Sequence, residues 1–202
     1  MVCANVVGDT EHAAVWSGGG EFCPTSLGRK PTSLPYLADN WRASLMLSSR
    51  VTCDSTLRQI VYFRGAPNGT ALVGVWRQLA ADEYVLKHRV ALPPAAIGIH
   101  RVHLPRPLPV ERGDFLGVHY PRRDSGDDDA GGVVVYNVPD DRVFDADQFY
   151  HTLVVDAADD DFPVDRTILL SSFDRRLELR AFALQAVLTP DSLGQSSTSS
   201  AV

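Results

Sequence analysis

Short runs of β-branched, aromatic and other apolar residues recur along most of this chain, and glycine- or proline-containing turns separate them. No long segment has the apolar period of an amphipathic helix. Several short strands with turns between them are typical of an antiparallel β-sandwich or jelly roll, so the predicted fold class is all-β. The predicted strands are residues 41–47, 57–64, 71–77, 84–90, 98–104, 115–120, 131–136, 166–170 and 177–188.

Two of these assignments depend on local signals. Pro67-Asn68-Gly69-Thr70 predicts a tight hairpin with 71–77 as the return strand, because Asn-Gly accepts positive φ at both central positions. Residues 177–188 are rich in Leu and Ala, which also suits a helix. We interpret residues 177–188 as a single strand, because Pro190 would end it and the preceding segments are predicted strands.

The chain divides into three parts by composition. Residues 1–40 contain many glycines and prolines and predict a loop-rich segment packed on the domain. Residues 41–190 form the predicted sandwich. Residues 191–202 are rich in Ser, Thr, Gly and Gln, which predicts a disordered tail.

The formal net charge of −6 argues against a general nucleic-acid binder, which needs clustered Lys and Arg. No apolar run is long enough to predict a membrane span. Residues 1–5 do not resemble the start of a signal peptide. This fits either a cytoplasmic protein or an extracellular module taken from a longer secreted chain.

The three cysteines are Cys3, Cys23 and Cys53, and none forms a CxxC motif that would indicate zinc. Three pairings are possible for one disulfide. In an oxidising compartment the favoured pair is Cys23–Cys53, and in a reducing one all three are packed thiols. Asn68 begins an Asn-Gly-Thr sequon, which is a glycosylation acceptor in a secreted chain.

The chain contains no GxSxG, HExxH, P-loop or GxGxxG sequence, so its sequence points to no catalytic residue. His100 and His103 are three apart on a predicted strand and therefore point to opposite faces. Thirteen aspartates and one basic residue, Arg142, lie between Asp124 and Asp165. These Asp-rich loops are a candidate Ca²⁺ site or a solvated acidic surface, and no other cofactor is expected.

Aromatic rings and cations beside a loop indicate a binding surface. Tyr120 and Tyr136 flank the loop of residues 120–136, and Arg122 and Arg123 follow Tyr120 after Pro121. Aromatic rings stack on sugar faces, and arginines donate to hydroxyl or acidic groups. These four residues are the predicted ligand-binding set.

The turn and strand of residues 110–121, of the form V-x-x-G-D-x-x-G-x-x-Y-P, are the most specific part of a wider similarity. Together with residues 71–77, 98–105, 132–136 and 182–187, they resemble a β-sandwich module found in extracellular multidomain adhesion and matrix proteins of invertebrates. The resemblance implies a non-enzymatic module and carries over no catalytic residue.

The resulting functional prediction is a recognition or adhesion module that binds a glycan or a protein partner. One alternative is a structural subunit of a larger coat or matrix assembly, which would be a homo- or hetero-oligomer. A second alternative is a carbohydrate-active enzyme that uses an Asp pair. The sequence offers aspartates in excess for such a pair but no means of choosing two of them.

Overall fold

The computed structural model describes residues 15–16, 22–34, 43–120, 134, 136–137, 150–156 and 162–191. In these ranges the chain forms fourteen strands and one short 3-10 turn, Leu170–Ser172. The strands are β1 Val15–Trp16, β2 Phe22–Cys23, β3 Ser26–Gly28, β4 Ala43–Arg50, β5 Ser55–Arg64, β6 Ala71–Gln78, β7 Glu83–Leu92, β8 Gly98–Val110, β9 Phe115–His119, β10 Tyr136–Asn137, β11 Tyr150–Asp156, β12 Thr167–Leu169, β13 Asp174–Phe182 and β14 Leu184–Pro190.

Two antiparallel sheets pack face to face, which confirms the predicted all-β sandwich. The larger sheet has eight strands in the order β10-β13-β11-β4-β9-β6-β7-β12. The smaller sheet has four, in the order β3-β14-β5-β8, and β1 pairs with β2 separately. In the part of the chain that the structure describes, no helix is long and apolar enough to cross a membrane.

The inner core lies between the two sheets. From the four-stranded sheet it receives Leu57, Ile60 and Tyr62 of β5 and alternate residues of β14, and from the larger sheet Val73 and Val118. Alternation of inward and outward side chains is the normal pattern of a strand with one face on a core. β14 follows it, with Leu184, Ala186 and Leu188 buried and the residues between them half-buried.

A second core covers the outer face of the eight-stranded sheet. Residues 162–173, here called the strap, run along the edge of that sheet, where β12 pairs with β7. The strap buries Phe162, Ile168 and Leu170 against side chains that include Trp76 and Phe115. The central strands β6 and β9 are therefore buried on both faces. This explains why their sequences are almost continuously apolar rather than alternating.

Two glycines leave the space that Trp76 fills in this outer core. Gly74 of β6 and Gly117 of β9 are cross-strand partners. A Cβ on Gly74 would lie 2.4 Å from the Trp76 Nε1 atom, and one on Gly117 would lie 2.8 Å from it. The indole is 2% exposed and packs edge-on against Phe162 at 5.2 Å between ring centroids, so it has no room to move aside.

The variant Gly74→Ala should therefore be destabilised by about 1–3 kcal/mol, as is usual for an overpacked core. Urea unfolding with an unchanged m-value would measure this loss. The atoms nearest to the added Cβ are the indole Nε1 of Trp76 and then Cδ1 of Leu86, at 2.8 Å. Adding Trp76→Phe removes the first of these contacts, so it should restore part of the stability, and the two effects should not add. Additive losses in the double variant would contradict this account.

The predicted hairpin at Asn68-Gly69 is wrong. β5 belongs to the four-stranded sheet and β6 to the eight-stranded sheet, so the chain crosses between sheets at this point instead of turning back beside itself. Gly69 has a φ of 91°, but Asn68 does not have the positive φ that the tight turn requires. The guanidinium of Arg64, which is 0% exposed, donates to the carbonyl oxygens of Gly69 and Pro67 and thereby holds the crossing.

The predicted single strand over residues 177–188 is in fact two strands in different sheets. β13 pairs with β11 in the larger sheet, and β14 pairs with β5 in the smaller one. The chain changes sheets at Ala183, which is fully buried and whose carbonyl accepts a 2.9 Å bond from the Phe63 amide. The inward-facing pattern continues through the crossing because both sheets face the same core.

Other differences from the prediction are smaller. β8 continues through Pro105, Pro107 and Pro109 to Val110, which an edge strand allows because its outer side needs no ladder donors. β11 was not predicted at all. Residues 22–34 pack on the domain, where β3 pairs with β14 and Leu27 joins the inner core.

Candidate functional site

The two tyrosines of the predicted ligand-binding set lie in the core, so the prediction of a surface location is wrong for both. Tyr120 is 2% exposed, and its hydroxyl donates to the Val134 carbonyl at 3.1 Å. Tyr136 is 8% exposed, with the Arg180 guanidinium 4.6 Å from its ring centroid. All five residues of β9 are buried, and Tyr120 follows directly after this strand. This run of buried residues indicates that Tyr120 lies in the core.

Other predicted site residues lie outside the described residues. Arg122 and Arg123 are among them, as are most of the Asp-rich loops. Of the thirteen aspartates only Asp156 and Asp165 are described. Within the described ranges, no cluster of three His, Cys, Asp or Glu side chains is arranged to hold a metal ion. The roles of Arg122 and Arg123 and the Ca²⁺ site therefore stay predictions.

The structure pairs Cys23 with Cys53, as the sequence analysis favours for an oxidising compartment. The two Cα atoms are 5.6 Å apart, and the bond ties β2 to the connection between β4 and β5. Asn68 is exposed on the loop between β5 and β6. Its side chain therefore lies where a glycosylation enzyme has access.

The G-D turn of the sequence motif is a structural ion-pair site. Gly113 has a φ of 91°, and the Asp114 amide donates to the Glu111 carbonyl across the turn. The Asp114 carboxylate accepts from Arg77 Nε at 2.7 Å and from the Glu111 amide at 2.9 Å. Hydrogen bonds to Asp114 and then to Glu111 raise the pKa of Arg77 above its ordinary value. These groups hold the turn closed.

A second charged group secures the strap. Asp82 accepts from the Ser171 amide at 3.1 Å and forms an ion pair with Arg175. Hydrogen bonds from Ser171 and then from Arg175 lower the pKa of Asp82 below its ordinary value. The strap backbone adds further bonds, from the Asp165 amide to the Leu86 carbonyl and from the Leu170 amide to the Asp82 carbonyl. This cluster stabilises the outer core.

The cavity in the outer core is too small for an organic ligand. It lies beside Trp76 and Phe162 and measures about 10 Å³, room for about one water molecule. Pockets that hold small organic ligands are roughly 300–1,000 Å³. This cavity is therefore not a site for an organic ligand.

The outer face of the four-stranded sheet is a candidate recognition surface. It is covered in part, because Val61 is 7% exposed and Phe63 packs against Leu34. Cross-strand neighbours form rows of side chains on this face. One row contains Arg101 of β8, Val61 of β5 and Gln185 of β14. His103 and Gln59 lie in the next row, where the Gln59 Nε2 and His103 Nε2 atoms are 2.8 Å apart. His100 is on the opposite face beside Tyr62, which confirms that the two histidines point to opposite sides.

This face has cations and no carboxylates on its strands. None of the residues of β3, β5, β8 or β14 is Asp or Glu, although the chain has 25 of these residues. Arg58, Arg101 and Arg106 are exposed. In the described part of the chain, neither Arg101 nor Arg106 has an ion pair, whereas Arg58 donates to Thr189 Oγ1 at 2.9 Å. Three acids lie just beyond the ends of these strands: Asp54 precedes β5, Glu111 follows β8 and Asp191 follows β14.

The same edge also exposes apolar side chains. Ile97 is 61% exposed and Ile99 is 53% exposed, at the start of the edge strand β8. Sequence reasoning missed this surface, because the four strands are far apart in the chain. All four strands lack Asp and Glu, and this shared feature of their sequences is the signal that could have identified the surface.

The comparisons with known proteins give no relative: no family model, no curated protein and no solved structure matches this chain.

Proposed function

We propose that this chain is a non-enzymatic recognition or adhesion module that binds a glycan or protein partner through the outer face of the four-stranded sheet. The observation that carries the proposal is the acid-free, arginine-bearing face of a chain whose net charge is −6. Arginine is enriched in recognition surfaces because its planar guanidinium donates several hydrogen bonds at once. The exposed Ile97 and Ile99 supply apolar contact beside these cations.

An extracellular or surface location is part of this proposal. The Cys23–Cys53 pair supports it, because disulfides persist in oxidising compartments. The exposed Asn68 sequon also supports it. No cofactor is included in the proposal, and Ca²⁺ in the Asp-rich loops remains a separate prediction.

The test is binding of the purified chain to arrays of immobilised glycans and of matrix proteins. We expect specific partners for the wild type and at least about tenfold weaker binding for Arg101→Glu, because reversing a charge within an interface places like charges together. Arg176→Glu is the matched control: it makes the same change of charge on β13 of the other sheet, and its binding should be unchanged.

Two results would count against the proposal. One is an array without any partner for the wild type, and the other is equal binding by the wild type and Arg101→Glu. Loss of binding in an Arg122→Ala, Arg123→Ala variant with normal binding by Arg101→Glu would transfer the contact surface to the 120–136 loop.

A further inference from the structure

Three exposed arginines of the four-stranded sheet have donors that the described part of the protein does not use. Arg101 and Arg106 form neither an ion pair nor a side-chain hydrogen bond with another described residue. Arg58 donates through its Nε atom to Thr189, and its two terminal nitrogens have no partner among the described residues. Guanidinium groups without an acceptor are available to an anionic ligand, with which they form strong, charge-assisted hydrogen bonds.

The three arginines lie in one region of the acid-free face. Arg101 is the cross-strand partner of Val61, and Arg58 lies three residues from Val61, so the two cations are roughly 10 Å apart along the strands. In the register of β5 with β8, residues 104–107 lie opposite Arg58 alone. Arg106 is therefore in the stretch of the edge strand beside Arg58.

Prolines hold the backbone around Arg106. Pro105 and Pro107 flank it, each with a fixed φ, and Pro107 also restricts Arg106 itself to an extended conformation. A ligand that binds this stretch therefore loses less conformational entropy than one that must order a flexible loop. Proline has no amide hydrogen, so this part of the edge is a poor template for an added strand. Recognition here uses side chains.

The available region is limited at both ends of the sheet. Asp54, Glu111 and Asp191 lie at the end where β5 begins and where β8 and β14 finish. Each of these carboxylates accepts a hydrogen bond from another described group of the protein. At the opposite end Phe63 is packed against Leu34. The arginines lie between these two ends.

Neutral polar groups separate Arg58 from Arg101. Gln59 and His103 form a cross-strand row there, with their Nε2 atoms 2.8 Å apart. Amide and imidazole groups can donate and accept, so they suit the hydroxyl groups of sugars. Val61, in the middle of the face, is 7% exposed and offers little apolar contact, whereas the centre of a protein interface is apolar and poor in charge. A ligand with hydroxyl groups and negative charge fits this region better than an acidic protein segment.

We infer that the ligand of the acid-free face is a linear glycan that carries sulfate groups. The inference rests on the proposed recognition role of this face and names its ligand. The separation of Arg58 from Arg101 exceeds one sugar ring, so the two cations contact charges on different sugars of one chain. A sulfate group has three terminal oxygens and can accept from Arg58 and Arg106 together, whereas a single guanidinium occupies both oxygens of a carboxylate in a bidentate pair.

The experiment measures binding of the full chain to immobilised heparin at about 150 mM salt. Three comparison probes are used: hyaluronan, which has carboxylates and no sulfates, dextran, which is neutral, and single-stranded DNA, a polyanion without sugar sulfates. The net charge of −6 disfavours non-specific attraction to any of these polyanions. We expect heparin binding that weakens as the salt is raised to about 500 mM, and binding to each comparison probe that is at least about tenfold weaker.

The test variant is Arg101→Gln with Arg106→Gln. It removes two exposed side chains without partners in the described part of the chain, so it should fold normally and bind heparin at least about tenfold more weakly. Its salt dependence should also be shallower, because fewer cations displace counterions from the polyanion.

Arg166→Gln with Arg176→Gln is the matched control. Both residues are exposed, Arg176 in β13 and Arg166 directly before β12 of the larger sheet, and the change of charge is the same. Its heparin binding should equal that of the wild type. Thermal melting verifies that both variants are folded.

A wild type that does not bind heparin would overturn the inference, and so would equal binding by the test variant and its control. Hyaluronan, dextran or DNA bound as tightly as heparin would overturn it too, since sulfate on a sugar would not be what is recognised. The array experiment separates the two proposals. If Arg101→Glu loses a protein or neutral glycan partner while heparin is not bound, the face is a recognition surface and only the ligand is wrong. If heparin is not bound and charge reversal changes no array binding, both proposals fail.

Discussion

Replacing Asp114 by alanine is expected to destabilise the domain by about 3–5 kcal/mol, the range for breaking a buried ion pair. The Asp114 side chain is 1% exposed, while its partner Arg77 is 25% exposed. The substitution removes two acceptors at once, the one for Arg77 Nε and the one for the Glu111 amide. Hydrogen bonds to a charged group contribute roughly 1.5–3 kcal/mol each. Urea unfolding compares the free energies.

Asparagine at this position should be almost as costly as alanine. One Asp114 oxygen accepts from Arg77 and the other accepts from the Glu111 amide. An asparagine amide has one oxygen and one NH₂ group, so in either orientation its NH₂ meets a donor. A stability within about 0.5 kcal/mol of the wild type for Asp114→Asn would contradict this account.

Glu111→Gln is the matched control for the same arginine. Glu111 also pairs with Arg77, at 2.8 Å, but its side chain is 54% exposed. Exposed ion pairs contribute roughly 0–1 kcal/mol, because water and salt screen the charges. We therefore expect a loss of less than about 1 kcal/mol for this variant. Equal losses for Glu111→Gln and Asp114→Ala would show that burial is not what makes Asp114 important.

Removing the Cys23–Cys53 bond is expected to cost about 3–4 kcal/mol. The two cysteines are 30 residues apart, and a cross-link of that length restricts the unfolded chain by about this amount of free energy. The measurement is urea unfolding of a Cys23→Ser, Cys53→Ser variant.

The third cysteine supplies the control. Cys3→Ser should leave the unfolding free energy unchanged, because Cys3 is not a member of the pair. A thiol count on the denatured, non-reduced chain should find one reactive thiol in the wild type and none in Cys3→Ser. Three reactive thiols in the wild type would contradict the disulfide.

The acid-free face was not predicted from the sequence. The aromatic and arginine set around Tyr120 was chosen because these residue types bind ligands, but burial depends on which strand faces which core. Tyr120 follows β9, which is covered on both faces, so its ring packs in the inner core. The acid-free face combines segments that are about 160 residues apart in the chain, and only the pairing of β3, β14, β5 and β8 brings them together.

What the sequence by itself determined is local. Strand propensity and turn residues located β5, β6, β7 and β9 to within a few residues, and the G-D turn was identified from its glycine and aspartate, because these signals act between neighbours in the chain. The sandwich class followed from the number of such strands. Which sheet each strand joins depends on contacts between distant residues, and only the tertiary structure decided it. The Asn68-Gly69 turn and the long segment around Ala183 both read as local β structure, yet both are crossings between sheets, because burying two apolar faces against one core stabilises the fold more than pairing adjacent segments would.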